Sequence, residues 1–449
     1  MNTALHTDPD SEFCTDVLVI GGGPGGSTIA ALLREKGWRV TLLEKDRHPR
    51  FHIGESLLPL NLPILERLGV LEQVKAIGVV KYGAEFGVEH GADKRQTIYF
   101  GNALDKGHPY AFQVRRSEFD HLLLRNSAIK GVDVREGIRV QEVGFQHDAT
   151  ALISAVDEGG ERRQWRARFL VDASGRDTFL ARKLDLKKKN PKHQSAAIFS
   201  HFKHVVRRPG RDEGNIGIYW FEHGWFWMIP LRDGVMSVGA VCWPEYLKTR
   251  KTDLETFLWD TIKLCPPVFE RMQQAIRCDE ARATGNYSYR ADRMYGDGYL
   301  LVGDAFAFID PVFSTGVFLA MNSAVLGAEA VDACLRDPAR AAPHLRHFDR
   351  RVRYGIKTVS WFIYRFTSPA MHRLFMAPRN VFRIEEAIIS LLAGDIFGKT
   401  PIALPLALFK AIYLATSAAA LPRAWVAYRR RKRNVALAFT GGTTSQDPQ

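Results

Sequence analysis

Three glycines and one acidic residue near the start of the chain have types and spacing suited to ligand binding. Residues 21–26 read GGGPGG and fit GxGxxG at Gly21, Gly23 and Gly26. In such a turn the glycines permit a tight bend, close approach of a pyrophosphate and close packing of helix on strand. Glu44 follows Gly26 by 18 residues (44 − 26), where an acid binds ribose hydroxyls. The pattern predicts dinucleotide binding, with neighbouring contacts from Pro24, Ser27 and Lys45.

A strand, a helix and a second strand must position these residues. Residues 16–20 (DVLVI) form an apolar run typical of a buried parallel strand. Residues 27–36 have a helical pattern, and residues 39–43 (RVTLL) predict the second strand. The helix would direct its free N–H groups and the positive end of its dipole at the phosphates. A glycine-rich turn alone would explain GxGxxG, but these elements in this order predict a Rossmann-like unit.

Two distant stretches favour FAD over NAD(P). Residues 299–305 (YLLVGDA) predict a strand that ends in Gly-Asp at Asp304, and residues 169–175 (FLVDASG) predict another strand before an Asp/Gly turn. Both resemble elements that complete the flavin site of flavoprotein hydroxylases, where the aspartate meets the ribityl chain. Two unrelated turns would explain each stretch separately. The sequence has no second GxGxxG unit, so electrons would come from a separate NAD(P)H-dependent flavin reductase or from transient nicotinamide docking.

The length, cysteine content, N-terminal sequence and net charge of the chain narrow the range of possible functions. A chain of 449 residues predicts two or three structural units. The five cysteines show no metal-binding spacing and no disulfide pattern, so no metal is predicted. The first 14 residues lack an apolar signal core, which favours a cytoplasmic protein. The net charge is +13, with basic clusters at residues 187–189 and 423–433. These clusters are solvated faces, or they suit an acidic partner or an anionic surface. No nucleic-acid partner is predicted.

Four further stretches match one family. Residues 51–59 (FHIGESLLP), residues 80–86 (VKYGAEF), residues 225–230 (WFWMIP) and residues 308–316 (FIDPVFSTG) occur in this order. The last two fit WxWxIP and FxxPxxSxG. If residues 225–230 form a strand, Trp225 and Trp227 point to one face and Phe226 to the other. Over roughly residues 14–335 the chain resembles the flavin-dependent halogenases. The resemblance implies further cofactor contacts from Ile53, Gly54, Glu55, Ser56, Asp304, Pro311 and Gly316. Arg115 or Arg116 would pair with phosphates, with Arg116 the predicted contact, although surface exposure explains either one.

The resemblance also implies a mechanism. Reduced flavin and O2 form a C4a-hydroperoxide, which oxidises chloride or bromide to hypohalous acid. The motif residues Trp225, Trp227, Ile229 and Pro230 would keep the substrate away from the flavin, and backbone N–H groups of Thr315 and Gly316 would bind the halide. Lys81, on the far side of these indoles, would be the catalytic amine that receives the hypohalous acid. A lone lysine is ordinarily a solvated surface residue, but the apolar neighbours and the family match favour catalysis.

The substrate class follows from a departure within the last motif. Halogenases of free tryptophan carry a glutamate immediately before the SxG serine, where this chain has Phe313. The resemblance therefore favours an electron-rich phenol or pyrrole, either free or presented by an acidic carrier protein. Two alternatives stay open: an aromatic hydroxylase or an alkene reductase of related fold, and a flavin-binding homologue without turnover. The WxWxIP motif and Lys81 argue against these alternatives.

The predicted architecture is an α/β protein with a Rossmann-like FAD-binding domain of the hydroxylase type and a mixed β-sheet substrate domain. The FAD-binding domain comprises residues 1–81, 105–186 and 283–335. The substrate-domain sheet comprises residues 82–104 and 187–282. Residues 336–449 form a C-terminal helical region whose tail, residues 440–449, is expected to be disordered. Residues 402–421 are apolar and favour a docked helix over an interfacial helix or a membrane span.

Overall fold

A computed structural model describes residues 12–88, 95–191, 194–397, 400–419, 421, 425–430 and 432–433. The strands are β1 (Glu12–Ile20), β2 (Val40–Glu44), β3 (Val79–Lys81), β4 (Gly83–Val88), β5 (Arg95–Tyr99), β6 (Ala111–Gln113), β7 (Asp133–Glu136), β8 (Ile138–Phe145), β9 (Ala151–Asp157), β10 (Arg162–Asp172), β11 (Lys187–Lys189), β12 (Ser195–Lys203), β13 (Ile216–Phe221), β14 (Gly224–Pro230), β15 (Met236–Cys242), β16 (Ile276–Arg277), β17 (Arg282–Tyr287), β18 (Tyr289–Ala291), β19 (Tyr295–Gly296), β20 (Tyr299–Leu301) and β21 (Ala307–Phe308).

The helices alternate with these strands and then dominate the last third of the chain. They are α1 (Pro24–Glu35), α2 (Leu62–Leu68), α3 (Leu71–Ile77), α4 (Arg116–Ile129), α5 (Phe179–Lys183), α6 (Pro244–Leu247), α7 (Leu254–Lys263), α8 (Pro266–Arg271), α9 (Thr315–Arg336), α10 (Ala341–Ile363), α11 (Pro369–Met376), α12 (Ile384–Leu392) and α13 (Ala403–Ala419).

The first sheet carries the glycine turn at the carboxyl end of a central strand. Its strand order is β19-β20-β10-β1-β2-β7, and β1 pairs in parallel with both β2 and β10. Residues 17–20 of β1 are buried, as expected for a parallel strand covered on both faces. Helix α1 packs against α4 and α9. The predicted Rossmann-like fold is confirmed, and it is assembled from segments as far apart as β1 and β20.

The second sheet is mixed and has a different hydrophobic cluster on each face. Its strand order is β16-β12-β15-β14-β13-β4-β5, with β4 and β13 parallel and most other pairs antiparallel. Along β14, Trp225 and Trp227 belong to the main core, whereas Phe226 and Met228 pack on the opposite face with residues of α7 and α8. Side chains of a strand alternate between faces, so the predicted placement of both indoles on one face is confirmed.

Two short strands do not follow the predicted domain boundaries. β17 pairs with β12, so the second sheet continues beyond residue 282, where it was expected to end. β11 lies within the segment 187–282, yet it pairs with β18 in a separate three-stranded sheet that also contains β21. Strand pairing depends on contacts between residues far apart in the chain, which local composition does not show. The rest of the predicted domain division stays a prediction.

The C-terminal helices pack on α9 and on the edge of the second sheet formed by β4 and β5. In α13, Leu406, Phe409 and Tyr413 are buried, and the Phe409 ring stacks on Phe362 of α10 at 5.5 Å. Among the described helices, α9 is long and apolar enough to cross a membrane, but 56 % of its apolar window is buried within the protein. The predicted docking of the apolar segment 402–421 is thus supported for α13. The expected disordered tail lies outside the described residues.

Candidate functional site

A cavity of about 790 Å³ runs from the glycine turn to the tryptophans of β14. Most of the residues predicted from sequence line it: Gly21, Gly23, Pro24, Glu44, Lys45, Ile53, Gly54, Glu55, Ser56, Arg116, Trp225, Trp227, Ile229, Asp304, Pro311 and Gly316. Five predicted residues are not among those lining it: Gly26, Ser27, Lys81, Pro230 and Thr315. The fold therefore brings together segments that are up to 300 residues apart in the sequence.

The glycine turn is shaped by contacts that exclude any side chain at two positions. Gly21 has φ of +100°, and a Cβ there would lie 2.5 Å from the carbonyl oxygen of Ala173. A Cβ at Gly26 would lie 1.8 Å from the carbonyl oxygen of Gly21. A Cβ at Gly23, in contrast, would meet only the Arg50 guanidinium, at 3.7 Å. Gly21 and Gly26 thus close the turn onto α1, and Gly23 leaves its backbone open to the cavity.

Glu44 and Ser27 hold this turn from either side. The Glu44 Oε2 accepts a hydrogen bond from the backbone N–H of Gly22 at 2.5 Å, and its Oε1 accepts one from the N–H of Asp46 at 3.0 Å. The Ser27 hydroxyl donates to the carbonyl oxygen of Gly22 at 2.9 Å. Burial raises the pKa of Glu44, although these N–H donors and Arg50 lower it in part. Ser27 therefore supports the turn from outside the cavity, while Glu44 stands at its wall.

Arginines give one end of the cavity a positive lining. Arg116 makes a two-pronged ion pair with the buried Asp120 at 2.7 and 2.9 Å, and its Nη1 donates to the carbonyl oxygen of Ile53 at 3.0 Å. Arg50 also pairs with Asp120, at 3.3 Å, and lines the same cavity. Arg115 instead pairs with Asp233 at 2.8 Å. Of the two arginines weighed from sequence, Arg116 is the one at the cavity.

Several lining residues were missed from the sequence. They are Arg50, Arg139, Arg176, Asp177, Arg182 and Lys183. Lys45 forms an ion pair with Asp177 at 2.6 Å, which links two walls of the cavity. Arg50 directly precedes the matched stretch 51–59, and Arg176 and Asp177 directly follow the stretch 169–175, so extending both stretches by one or two residues would have found these three.

Asp304 and the start of α9 form another part of the cavity wall, and α9 reaches the first turn of α1, where a Cβ at Gly25 would lie 3.4 Å from the Ala320 carbonyl oxygen. Desolvation raises the pKa of Asp304 to about 6, against the lowering effect of Arg176 and Arg116. Ser314, with φ of +56°, precedes α9 and lines the cavity together with Gly316. Thr315 is buried behind this surface. The first N–H groups of a helix lack partners within it, so the start of α9 offers donors to an anion.

The two indoles close the far end of the cavity. Trp225 and Trp227 are 4 % and 5 % exposed, and their ring centroids lie 6.1 Å apart. The Trp227 Nε1 donates to the Ser237 hydroxyl at 3.1 Å. Trp225 also lines a second, small void, which Ile363 and Phe366 of the C-terminal region help to enclose. Trp225 therefore stands between the large cavity and the C-terminal helices.

Lys81 lies beside the cavity but does not line it. Its side chain is 1 % exposed, and Nζ donates to the Ser56 hydroxyl at 2.8 Å and to the carbonyl oxygen of Leu57 at 3.1 Å. The Phe100 ring lies 5.2 Å from Nζ. Desolvation lowers the pKa of Lys81 to about 7. Ser56 lines the cavity, so one hydroxyl group separates the amine from it. This contact runs through the 51–59 stretch rather than past the indoles, contrary to the expected route.

This cavity fits FAD. The open backbone at Gly23, the N-terminus of α1 and the arginine-lined end suit a pyrophosphate. The cavity is lined both by Gly21 and by the indoles of Trp225 and Trp227, so a ligand that spans it would contact the glycine turn and the aromatic wall.

Comparisons with known proteins agree with this assignment. Residues 14–361 match the family described as FAD binding domain. The 1H-pyrrole-2-carbonyl-(peptidyl-carrier protein) chlorinase of Pseudomonas fluorescens is 29 % identical over 410 residues, which cover 86 % of this chain and 90 % of that protein. The tryptophan 2-halogenase of Chondromyces crocatus is 36 % identical over 342 residues, covering 75 % of this chain and 64 % of that protein.

A solved structure extends the likeness to the whole fold. The myxobacterial chondrochloren halogenase CndH, described as a new variant of FAD-dependent halogenases, superposes with a TM-score of 0.74 and 35 % identity. The match covers 86 % of this chain and 91 % of that one. The fold and the site define an FAD-binding oxidoreductase. The chain belongs to the flavin-dependent halogenases, with FAD as its cofactor and with halide and O2 as co-substrates.

Proposed function

We propose that the protein passes hypohalous acid to Lys81, which then halogenates an electron-rich aromatic substrate. Bound FAD, when reduced, supplies this oxidant from O2 and chloride or bromide. The single observation that carries the proposal is the buried Lys81 amine, whose Nζ hydrogen-bonds the cavity-lining Ser56 at 2.8 Å. An oxidised halogen species formed in the cavity would need to pass only the Ser56 hydroxyl to reach this amine.

The environment of Lys81 suits this role. With a pKa lowered to about 7, about half of the Lys81 side chains carry the neutral amine at pH 7. A neutral amine has a free electron pair, with which it can hydrogen-bond hypohalous acid or form a chloramine. Because Lys81 is 1 % exposed, a substrate ring reaches it only if Phe100 or a neighbouring segment moves aside.

The wall of β14 would keep the aromatic substrate out of the large cavity. Trp225 and Trp227 are rigid and buried, and Ile229 continues the same lining while Pro230 ends the strand. Large flat side chains that pack tightly leave no path for a ring, whereas halide and O2 are small. We place the halide at the N–H groups of Thr315 and Gly316, where α9 begins and where its dipole favours an anion.

The substrate we propose is a phenol or a pyrrole, free or held on an acidic carrier protein. Phe313 stands where the tryptophan-specific enzymes have a glutamate, and its ring packs against Phe366 at 5.3 Å and Phe375 at 6.2 Å. Such an apolar cluster offers no charge to orient an amino acid. The Pseudomonas relative is named for a carrier-bound pyrrole, and this chain's net charge of +13 would favour encounter with an acidic carrier.

The proposal also includes the source of the reduced flavin and the cellular location of the protein. Reduced flavin would come from a separate NAD(P)H-dependent flavin reductase, because the sequence has one GxGxxG unit and that unit serves FAD. We also propose a cytoplasmic setting, where such a reductase and NAD(P)H are available.

The test is product analysis by mass spectrometry. Purified protein receives FAD, a flavin reductase, NADH, chloride or bromide, and a panel of phenols and pyrroles, free and carrier-loaded. Lys81→Ala should retain FAD absorbance yet form no halogenated product, while Lys75→Ala, a control at a half-exposed lysine of α3, should match the parent protein. Halogenated product from Lys81→Ala would remove this amine from the mechanism.

A further inference from the structure

A buried histidine connects the large cavity to the protein surface. His201 lies on β12, and its Nε2 donates to the Glu55 Oε1 at 2.8 Å. Its Nδ1 lies 3.2 Å from the Asp279 Oδ2. The three residues come from separate parts of the chain, 146 and 78 positions apart. The contacts form a continuous line of Glu55, His201 and Asp279.

The two ends of this line face different surroundings. Glu55 lines the cavity, and its Oε2 is fully buried without a hydrogen-bond partner among the residues that the structure describes. The Asp279 side chain is 30 % exposed, whereas that of Glu55 is 3 % exposed. His201 is 9 % exposed between them. One end of the line is thus a cavity-lining glutamate, one oxygen of which is buried and lacks a partner within the described part of the chain, and the other end is a partly solvated carboxylate.

The charges around His201 favour its protonated form. Burial lowers the pKa of His201, but the hydrogen bonds and charges of Glu55 and Asp279 outweigh this effect and raise it overall. Arg282 donates to the Asp279 Oδ1 at 3.1 Å, and Arg277 donates to the Asp279 backbone oxygen at 2.7 Å. These two cations contact the far side of Asp279 rather than the imidazole.

Two further neighbours of the imidazole are uncharged. The Phe51 ring lies edge-on to it, with centroids 6.1 Å apart, and Ser237 of β15 is its partner in the sheet register. The imidazole therefore contacts two carboxylates, Glu55 on the cavity side and Asp279 on the solvent side.

Halogenation consumes a proton. An arene, a halide ion, FADH2, O2 and one proton give a haloarene, FAD and two water molecules, so every turnover takes one proton from the solvent. The closed indole wall and the buried lining hinder direct entry of water from the β14 end. A chain of titratable side chains that leads from solvent to the cavity would therefore support the halogenase activity.

We propose that Asp279, His201 and Glu55 form a relay that carries this proton from solvent to the cavity. The protonated imidazole gives its Nε2 proton to the Glu55 carboxylate, and the carboxyl group formed in this way then releases a proton to the cavity. The imidazole left behind is neutral and keeps its Nδ1 proton. A half-turn of the ring about its Cβ–Cγ bond brings the bare nitrogen beside Asp279, which passes it a proton from water. One proton enters and one leaves in each cycle.

The first test measures the histidine itself and needs no turnover. ¹⁵N-labelled histidine is followed by NMR against pH in the FAD-bound protein, with His201 identified by its loss in His201→Gln. The pKa of His201 should lie above 6.5 and should fall in Glu55→Gln and in Asp279→Asn. An unchanged His201 titration in both variants would overturn the relay, whatever the outcome of the halogenation assay.

The second test separates proton transfer from a structural link. His201→Gln can keep hydrogen bonds to Glu55 but cannot titrate, so FAD affinity should stay within about twofold and kcat should fall at least tenfold at pH 8. The loss should be smaller at pH 6, where protons are more abundant. The same loss at both pH values, or an unchanged kcat at pH 8, would overturn the proposal.

Chemical rescue and a matched control complete the test. In His201→Ala, added imidazole should restore a third or more of the lost kcat at pH 8, because it can carry the proton through the space left by the ring. Failure of rescue in a variant that still binds FAD would overturn the relay. Ser200→Ala is the control, since the Ser200 hydroxyl holds the 279–280 segment through the Asp279 carbonyl at 2.8 Å without a titrating group. Its pH profile should match the parent.

Discussion

Lys81→Met replaces a buried amine by an uncharged side chain of similar length. In the parent protein the Lys81 side chain is 1 % exposed, and desolvation lowers its pKa from 10.5 to about 7. Its Nζ donates hydrogen bonds to Ser56 and Leu57, which the methionine cannot make. The substitution therefore removes a cost of burial and two favourable contacts, and the two effects differ in their dependence on pH.

The magnitude follows from linkage between proton binding and folding. Each unit of pKa shift is worth about 1.4 kcal/mol, so a fall from 10.5 to about 7 destabilises the folded state by about 5 kcal/mol below pH 7. The unfolded chain holds the Lys81 proton up to pH 10.5, so the stability of the parent protein rises with pH between about 7 and 10.5. The lost hydrogen bonds cost about 1 kcal/mol each at any pH.

The measurement is urea unfolding of the FAD-saturated proteins between pH 6 and pH 10. Lys81→Met should exceed the parent in free energy of unfolding by about 3 kcal/mol below pH 7, which is the burial cost less the lost hydrogen bonds. This difference should fall by about 4 kcal/mol between pH 7 and pH 10, so that the parent protein becomes the more stable of the two at pH 10. Comparing the two proteins cancels the titration of all other groups. Lys75→Met, at a half-exposed lysine, is the control and should show no such change.

One result would refute the reasoning. If the difference in unfolding free energy between Lys81→Met and the parent stays constant within about 1 kcal/mol from pH 7 to pH 10, the Lys81 pKa is close to its ordinary value. The neutral amine would then be scarce at pH 7, and the proposed acceptor of hypohalous acid would lose its chemical basis.

Two further predictions concern the turn and the wall of the cavity. Gly26→Ala should abolish FAD absorbance and destabilise the protein by about 3 kcal/mol or more, because its Cβ would lie 1.8 Å from the carbonyl oxygen of Gly21. Gly23→Ala should fold and should only weaken FAD binding in a fluorescence titration. Equal folding defects in the two variants would show that the turn is not packed as described. Trp225→Ala should destabilise the protein by about 3–5 kcal/mol and raise the release of hydrogen peroxide during turnover, because the substitution opens the buried wall of the cavity. If peroxide release and product identity both stay unchanged, Trp225 does not separate the substrate from the cavity.

Local sequence patterns were sufficient for the features that depend on neighbouring residues. The GGGPGG turn between an apolar strand and a helix predicted the position of Gly21 and Gly26, since only glycine fits where a Cβ would clash. The alternation along WFWMIP predicted that Trp225 and Trp227 share a face, because successive side chains of a strand point to opposite sides. The glycine turn, the predicted strand ends and the family motifs together contain most of the residues that line the cavity.

Only the tertiary structure decided which distant residues contact each other and how burial changes their pKa values. The sequence placed Lys81 in an apolar segment, but only the fold set its nitrogen against the Ser56 hydroxyl and removed the water that keeps an amine charged. The line from Glu55 through His201 to Asp279 joins three segments without a common motif, so no spacing could reveal it. Electrostatic effects act over ångströms in space rather than along the chain, and they become strong only where packing excludes solvent.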